Sequence, residues 1–333
     1  MGARVLVVGG AGYIGSVCGR HLARAGHTVE TLDDLSTGHA AAASGLLHRV
    51  DLRDRGAVDA VLARGFDAVL HFAARSLVGE SVQAPLPYFD VNIGGTLVLL
   101  DAMARHGVRR LVFSSTCAVY GNPLSLPLTE AHPFAPVSPY GLSKRIVEDL
   151  LAELRARAGL HVTTLRYFNA AGATDDGALG EAHHPETHLI PLAIAAARGE
   201  RPPLSLFGTD YPTPDGTCLR DYVHVEDLAT AHAAALGRLL EGDPGGAYNL
   251  GTGRGHSVRE VLDAVDHVVG RPVPVILGPR RAGDPPALYA DPSAAATALG
   301  WRAARTDLRA TVASAAAWAA RPRFGAPWRP AAQ

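Results

Sequence analysis

Hydrophobic and polar positions alternate along the first half of the chain in a pattern typical of parallel α/β proteins. Short apolar runs, rich in β-branched residues or leucine, are separated by longer segments with the periodicity of helices. Six of these runs predict strands, namely residues 4–8 and the runs that end at Asp33, Asp51, Ala73, Ser115 and Tyr167. The order predicts an α/β fold with a Rossmann-type, doubly wound parallel sheet.

The best marked helix follows the fifth predicted strand. Ser138 is placed to cap its N-terminus, Pro139 occupies the first helical position, and Gly159 marks its end. Its apolar positions fall on one side at Leu142, Ile146, Val147, Leu150 and Leu154. After residue 170 the alternation loosens and prolines and glycines cluster. We therefore predict a first domain over 1–170, built on the Rossmann-type sheet, and a smaller α/β lobe over 171–333, with some chain returning to the first domain.

Composition narrows the class of ligand. A chain of 333 residues with 47% hydrophobic and 19% charged residues can bury a large core. Lysine and arginine together number 31 against 32 acidic residues, so no broad basic surface is expected to bind nucleic acid or a membrane. Cys18, Cys117 and Cys218 are too few and too widely spaced for a disulfide framework or a zinc site. The apolar N-terminus is too short for a signal peptide. We expect a cytoplasmic protein with a small-molecule ligand and no metal.

The first chemical signal is a glycine motif between the first strand and the first helix. Gly9, Gly12 and Gly15 are spaced to form a tight turn that lets a pyrophosphate approach the backbone at a helix N-terminus. Asp33 ends the second strand about twenty residues further on, where an acidic side chain binds ribose hydroxyls and repels a 2′-phosphate. NAD is therefore favoured over NADP. The other interpretation of the glycine motif is an ordinary strand-to-helix turn. For Asp51, which ends the third predicted strand, the other interpretation is a helix cap.

The second signal is the only lysine of the chain, Lys144, four residues after Tyr140. Residues at this spacing share one face of a helix, so both side chains point to the same space. Unit charges about 4 Å apart interact by roughly 4 kcal/mol at an effective dielectric of about 20, enough for the ammonium to favour a tyrosine phenolate. The pair is expected in a cleft rather than in the core. A packed tyrosine beside a solvated lysine is the alternative.

The third signal is a group of hydroxyl side chains at the end of the fifth predicted strand. Ser114, Ser115 and Thr116 are placed at the sheet edge to which the Tyr140 helix returns. A hydroxyl there can orient or relay a proton between a substrate and Tyr140. Simple capping of the strand end is the other interpretation.

Together these motifs resemble the extended short-chain dehydrogenase/reductases. The resemblance covers nearly the whole chain, through "GGAGYIGS", "DDLSTGH", "HFAARSLVGESV", "VNIGGT", "SSTCAVYG", "SPYGLSK", "RYFNAAGA" and "YNLGTG". The stretch "DGTCLRDYVHVEDLA" with "RRAGD" is more specific, and is similar to members that invert C4 of UDP-hexoses.

The resemblance implies three sets of site residues. The catalytic residues would be Tyr140, Lys144 and Thr116. The NAD-binding residues would be Gly9, Gly12, Tyr13, Ile14, Gly15, Asp33, Asp51, Leu52, Phe72, Ala73, Ala74, Asn92, Ser114, Tyr140, Lys144 and Tyr167, with Phe168 also near the nicotinamide. The substrate-binding residues would be Thr116, Tyr140, Asn169, His188, Leu189, Phe207, Arg220, Arg281, Asp284 and Leu288, with the two arginines clamping the diphosphate.

The implied activity interconverts UDP-galactose and UDP-glucose through a 4-keto sugar and bound NAD, in a homodimer packed through the helix at 139–158 and one starting near Pro87. It could extend to UDP-N-acetylhexosamines. A related alternative is an epimerase or dehydratase acting on UDP-glucuronate or a UDP-pentose, although Cys117 and Ala118 stand where dehydratases usually carry an Asp-Glu pair. A third is a dinucleotide sensor without chemistry, but such relatives commonly lose the Tyr-x-x-x-Lys pair.

The chain departs from the family pattern at three places on the sugar side. Many members have lysine where Arg75 and Ser76 follow "HFA", asparagine where His188 stands, and, in one branch, tyrosine where Leu288 stands. These differences leave the preferred sugar open.

Overall fold

The computed structural model describes residues 2–281 and 284–325, so the predicted second lobe is described up to residue 325. The strands are β1 (Arg4–Val8), β2 (Thr28–Asp33), β3 (Leu46–Arg49), β4 (Ala68–His71), β5 (Arg110–Thr116), β6 (His161–Tyr167), β7 (Asn169–Ala171), β8 (Leu204–Phe207), β9 (Leu219–Arg220), β10 (Tyr222–His224), β11 (Ala247–Leu250), β12 (His256–Ser257), β13 (Val275–Gly278) and β14 (Ala287–Leu288).

The helices are α1 (Tyr13–Arg24), α2 (Arg55–Leu62), α3 (Val78–Gln83), α4 (Pro85–Phe89), α5 (Thr96–Arg105), α6 (Pro139–Arg157), α7 (Leu189–Ala197), α8 (Val225–Leu240), α9 (Val258–Val269), α10 (Ser293–Leu299) and α11 (Leu308–Ala320). A π-helical segment, Asp90–Gly95, joins α4 to α5, and 3₁₀ turns cover Ala40–Ala42 and Cys117–Val119.

The central sheet has seven parallel strands in the order β11, β6, β5, β4, β1, β2, β3. This confirms the predicted doubly wound sheet, and all six predicted strands are present. The chain order reverses beside β1, which pairs with both β2 and β4. In such sheets the ligand crevice lies outside the carboxyl ends of the strands at this switch point.

Both faces of the sheet are buried, which explains why the strands read as continuous apolar runs. Val5 and Val7 of β1 face a core shared with α1 and α8, whereas Leu6 and Val8 face the core beneath α2, α5 and α6. The Ser138 hydroxyl accepts a hydrogen bond from the Gly141 N–H at 3.2 Å and caps α6 as predicted.

The second half of the chain contributes to both parts of the molecule. β11 adds the seventh strand to the central sheet beside β6, and α8 packs on α1. A smaller core lies between α7, α9 and α11 and is built around Ile194, Val261, Val265 and Val312. The small sheet β12, β9, β14 lies next to it and carries Arg220 and Leu288. Within 2–281 and 284–325, no helix is both long and apolar enough to cross a membrane.

Candidate active site at the carboxyl edge of the sheet

The loop between β1 and α1 is packed so closely that two of its glycines cannot be replaced. A Cβ on Gly9, whose φ is +78°, would lie 2.4 Å from the Ala73 nitrogen, and one on Gly15 would lie 2.2 Å from the Gly9 oxygen. Gly12 begins α1 without a side-chain cap, and its Cβ would have one close neighbour in the described structure, the Gly9 oxygen at 3.4 Å. The loop therefore leaves the helix N-terminus open to a pyrophosphate, which fits a dinucleotide.

Asp33 ends β2 beside this loop. Its carboxylate accepts hydrogen bonds from the backbone N–H groups of Ala11 and Leu35, both at 2.9 Å. Burial raises the pKa of Asp33 above its usual range, and the two N–H groups oppose that rise. The side chain predicted to bind the ribose thus also fixes the glycine loop.

Tyr13, the first residue of α1, donates its hydroxyl to the Gly172 carbonyl at 2.6 Å.

The side chains predicted at the adenine edge have internal partners. Asp51 pairs with Arg53 at 2.6 Å, and Arg53 also reaches Asp90. The arginine lowers the pKa of Asp51. Leu52 is buried and packs against Gly95.

Asn92, predicted to line the cofactor, is 2% exposed. Its Oδ1 accepts from the Arg75 N–H at 2.8 Å, and its Nδ2 donates to the Arg75 carbonyl at 3.0 Å and to the Ser143 hydroxyl at 2.9 Å. Asn92 therefore ties the loop after β4 to α6, one residue before Lys144. In that loop Phe72 packs on the His232 ring at 4.7 Å, followed by Ala73 and the partly buried Ala74.

The pair was predicted to lie in a cleft rather than in the core, but Lys144 is 3% exposed and thus buried, whereas Tyr140 is partly exposed. Its ammonium donates to the Ser114 carbonyl at 2.8 Å and lies 4.8 Å from the centre of the Phe113 ring. Burial lowers the pKa of Lys144 to about 7, and the charge of Glu148 opposes that fall. Among the described residues, the one hydrogen-bond partner of the Lys144 ammonium is this main-chain oxygen of β5, which holds the side chain between helix and strand.

The side chains of Tyr140 and Thr116 lie close enough to interact, so the structure brings this predicted pair together. Burial raises the pKa of Tyr140 to about 12, opposed by the interaction with Thr116. This direction is opposite to the predicted effect of a nearby ammonium, because burial is the largest cause of the shift. Thr116 also caps the strand end by accepting the Ala118 N–H at 3.1 Å. Tyr167 hydrogen-bonds the Ser114 hydroxyl beside them.

The two predicted diphosphate-binding arginines share one carboxylate. Arg281 bonds the Asp284 carboxylate at 2.8 Å, and Arg220 lies 3.6 Å from the other oxygen of the same group. Arg220 also donates to the Pro285 carbonyl at 3.0 Å, while Arg281 lies 5.2 Å from the centre of the Phe207 ring. Four predicted substrate-binding residues from distant parts of the chain thus form one cluster, namely Phe207, Arg220, Arg281 and Asp284.

His188 belongs to a group that sequence reasoning missed. Its Nδ1 lies 2.7 Å from Glu181 and 2.9 Å from Glu186, and His183 lies 3.1 Å from Glu181. The spacing Glu-x-His-x-x-Glu-x-His was the available signal. Four potential ligand atoms lie within 4.8 Å of one another, so the group has the donors to hold a cation. Without a metal ion, protonated imidazoles balance the charge of the two carboxylates. Burial lowers the pKa of His188, but Glu181 and Glu186 outweigh burial and raise the pKa to about 11.

The remaining predicted sugar-side residues lie near these clusters. Asn169 begins β7 and donates its N–H to the Asp221 carbonyl at 2.9 Å, and Leu189 follows His188 as the first residue of α7. Leu288 pairs with Arg220 in the small sheet. It packs on the apolar cluster that contains Phe168.

The chain belongs to the NAD dependent epimerase/dehydratase family, whose profile matches residues 5–251. Full-length relatives carry a more particular name. A UDP-glucose 4-epimerase from Rhizobium meliloti (strain 1021) is 50% identical over 96% of this chain and 98% of its own length.

Solved structures agree in fold. UDP-glucose 4-epimerase from Brucella ovis in complex with NAD has a TM-score of 0.92 at 48% identity, covering 94% of this chain and 97% of that one. The UDP-glucose-4-epimerase from Stenotrophomonas maltophila, with bound NAD and formylated UDP-arabinopyranose, has a TM-score of 0.91 at 43% identity, covering 95% and 97%.

Proposed function

We propose that this chain is an NAD-dependent isomerase that interconverts UDP-galactose and UDP-glucose. The observation that carries the proposal is the contact between Tyr140 and Thr116 at the carboxyl edge of the sheet that also holds the Gly9–Gly15 loop. An acid–base group beside a dinucleotide loop suits removal of a hydroxyl proton together with a hydride. The names of its full-length relatives support the same activity.

The cofactor would be held by the open N-terminus of α1 and by Asp33, with Lys144 of α6 beside the end of β5. NAD, when bound, supplies the chemistry of taking a hydride from C4 of the sugar and giving it back. Tyr140 acts as its phenolate, the form that burial alone disfavours, and takes the proton of the C4 hydroxyl, which Thr116 orients. The sugar is then a 4-ketone, and Tyr140 returns the proton after the hexose has turned its other face.

Turning the hexose requires a firm hold on the nucleotide and a loose hold on the sugar. Arg220 and Arg281 can bind a diphosphate through their guanidinium groups, and Asp284 already orients both of them. On the sugar side, Leu288 is smaller than the tyrosine found in one family branch. We therefore extend the proposal to UDP-N-acetylhexosamines as additional substrates.

The test is to purify the protein, measure its bound NAD and follow conversion of UDP-galactose to UDP-glucose without added cofactor. We expect turnover without net consumption of NAD, and loss of turnover in Tyr140→Phe. Tyr88→Phe is the matched control, since it removes another buried tyrosine hydroxyl, bonded to Leu77 and Glu80. A dinucleotide-free preparation active only with stoichiometric NADPH would overturn the proposal.

The same assay separates the other candidates. A dehydratase would release water and leave a 4-keto-6-deoxy product, and an enzyme for UDP-glucuronate or UDP-pentoses would leave UDP-galactose unchanged. A sensor would bind the dinucleotide and convert neither sugar. Cys117, which stands where dehydratases usually have an acid, has a pKa that burial raises to about 12, so it does not supply that acid–base group.

A homodimer is part of the proposal. Exposed apolar side chains continue across α3, α4 and α6, at Val78, Val82, Leu86, Leu142 and Ile146. We call these five residues the α3–α6 face. A patch of this kind favours a protein partner, and a second copy of the chain is the partner that the family suggests.

We also propose a cytoplasmic location, supported by the three free cysteines. The division into a nucleotide-binding part over 1–170 and a sugar-binding part over 171–333 belongs to the same proposal.

A further inference from the structure

Glu148 continues the line of catalytic side chains on α6. Tyr140, Lys144 and Glu148 are spaced four residues apart, so all three lie on one face of the helix. The Glu148 carboxylate is 6% exposed, which is unusual for a charged side chain and calls for specific partners.

Those partners come from two strands of the central sheet. Arg166 on β6 donates from Nε to both carboxylate oxygens, at 3.1 and 3.0 Å, and from a terminal nitrogen at 2.7 Å. The Ser115 hydroxyl on β5 donates to the same carboxylate. Arg166 is held in turn by the Tyr120 hydroxyl at 2.9 Å. Glu148 is thus fixed in position between α6 and the end of β5.

The other titratable groups around Lys144 do not offer it a free negative charge. His71 on β4 is neutral, since burial and the lysine charge lower its pKa to about 3. Tyr140, Tyr167 and Cys117 have pKa values raised by burial, so they too are neutral. The acids on the outer elements that pack on α6, Glu80 and Asp90, are 39% and 59% exposed, so water screens their charge, whereas Glu148 is buried together with its partner Arg166. Among the described residues, Glu148 is the one whose charge favours the ammonium.

We propose that Glu148 is a positioning residue of the catalytic helix, whose buried carboxylate keeps the Lys144 ammonium charged and holds the end of β5 against α6. A buried ammonium without a nearby anion loses its proton, because burial penalises the charged form. The contribution to turnover rests on the proposed function. The effect on the charge of Lys144 does not, and it can be measured in the protein whatever reaction it catalyses.

The composition of the chain makes that measurement direct. Because Lys144 is the only lysine, protein labelled with a carbon isotope at the lysine Cε gives a single lysine side-chain resonance by NMR, provided that any tag lacks lysine. Its shift against pH reports the pKa of Lys144. In Glu148→Gln we expect that midpoint to fall by about one pH unit. A midpoint that does not move overturns the electrostatic part of the proposal.

Two further variants keep the test decisive if Glu148→Gln folds poorly. Glu148→Asp keeps the charge but withdraws it from Lys144, so a smaller fall in the midpoint is expected. Glu30→Gln is the matched control, because Glu30 is also 6% exposed and bonded to arginines, Arg4 and Arg64, but it lies on β2, three strands away from β5 in the sheet. It should lower stability and leave the Lys144 midpoint in place. An equal fall of the Lys144 midpoint in Glu30→Gln would show that lost stability, and not the lost charge of Glu148, moves the midpoint.

Turnover supplies the second readout. In Glu148→Gln we expect kcat near neutral pH to fall about tenfold and the alkaline limb of its pH profile to move down with the Lys144 midpoint. Glu148→Asp should restore part of both. A fall in kcat with an unchanged pH profile would reduce Glu148 to a structural residue. If wild type does not epimerise UDP-galactose, the proposed function fails, while the titration still decides this inference.

Discussion

The ammonium of Lys144 lies 2.8 Å from the carbonyl oxygen of Ser114, two residues before Thr116 on β5. This hydrogen bond joins α6 to β5, the strand that carries Thr116. An ammonium can make it because it is compact and carries three donors on a flexible stem, whereas a guanidinium is planar and forked. The one lysine in a chain with 31 basic residues therefore has a reason to remain lysine.

Lys144→Arg should fail although it conserves charge. A guanidinium cannot reach the Ser114 oxygen in the same space without displacing Phe113 and shifting α6, which carries Tyr140, so acid–base catalysis will be misplaced. We expect kcat to fall by about 10²- to 10⁴-fold. Because Lys144 is buried, we also expect a lower melting temperature, and not the small effect that an open cleft would give. Near wild-type turnover with an unchanged pH profile would make the lysine an accident of composition.

His188→Asn tests the imidazole–carboxylate group. The folded-state pKa of His188, about 11, is above its usual 6.5, so its contribution to stability is complete below about pH 6.5 and declines as the pH rises toward 11. We expect the variant to lose more stability at about pH 6 than at about pH 9. The loss should not exceed about 1 kcal/mol, because the His188 side chain is 42% exposed.

Chemical denaturation at the two pH values measures the difference. His184→Asn is the matched control, since His184 is an exposed histidine of the same loop, and it should show no such dependence. An equal loss in His188→Asn at both pH values would mean that the imidazole is not held as a cation.

Leu288→Tyr tests the sugar side. Leu288 lies beside Arg220 in the small sheet and against the cluster that contains Phe168, so a larger ring there would narrow the space next to the predicted clamp. Turnover of UDP-N-acetylhexosamine should fall far more than turnover of UDP-hexose. The ratio of kcat/KM for the two substrates is the measurement. Equal losses on both would show that the position does not select the sugar.

The strands and the catalytic helix could be predicted because their signals are local. Parallel strands buried on both faces give continuous apolar runs, as in β1, and Ser138 with Pro139 marks the start of α6. β11 was not predicted as a strand. Its four residues pair with β6, some eighty positions away in sequence, and no local pattern indicates that pairing.

In the candidate site, too, local features could be predicted and contacts between distant segments could not. The side-chain types and their spacing were readable, and the structure brings Tyr140 to Thr116 as predicted. Charge and burial were not readable, because they depend on contacts between distant segments, such as Arg166 with Glu148. The prediction of a lowered Tyr140 pKa failed for this reason, since it counted one nearby charge before any loss from burial, and burial is the larger effect. The assignments of ligand contacts stay predictions.

The α3–α6 face supports the last prediction, on the oligomeric state. α3 and α4 both pack on α6, so their exposed apolar side chains form one surface with Leu142 and Ile146. Apolar side chains at two positions one turn apart on α6 are better explained by a covered surface than by contact with water. In a two-fold interface each substitution is present twice, and the two copies can face each other.

Ile146→Glu should therefore convert a dimer into a monomer. Ile146 is 38% exposed, and a carboxylate there would be desolvated on association and would repel its copy across the two-fold axis. Sedimentation velocity measures the result. Ile276→Glu on β13 is the matched control, because Ile276 is an isoleucine that is 59% exposed in the second half of the chain, and it should leave the assembly unchanged. Since Tyr140 and Lys144 lie on the same helix, the monomer should also lose part of its turnover, in proportion to how far α6 depends on the partner for its position. A wild type that sediments as a monomer, or an Ile146→Glu variant that stays dimeric, would contradict the assignment of this face.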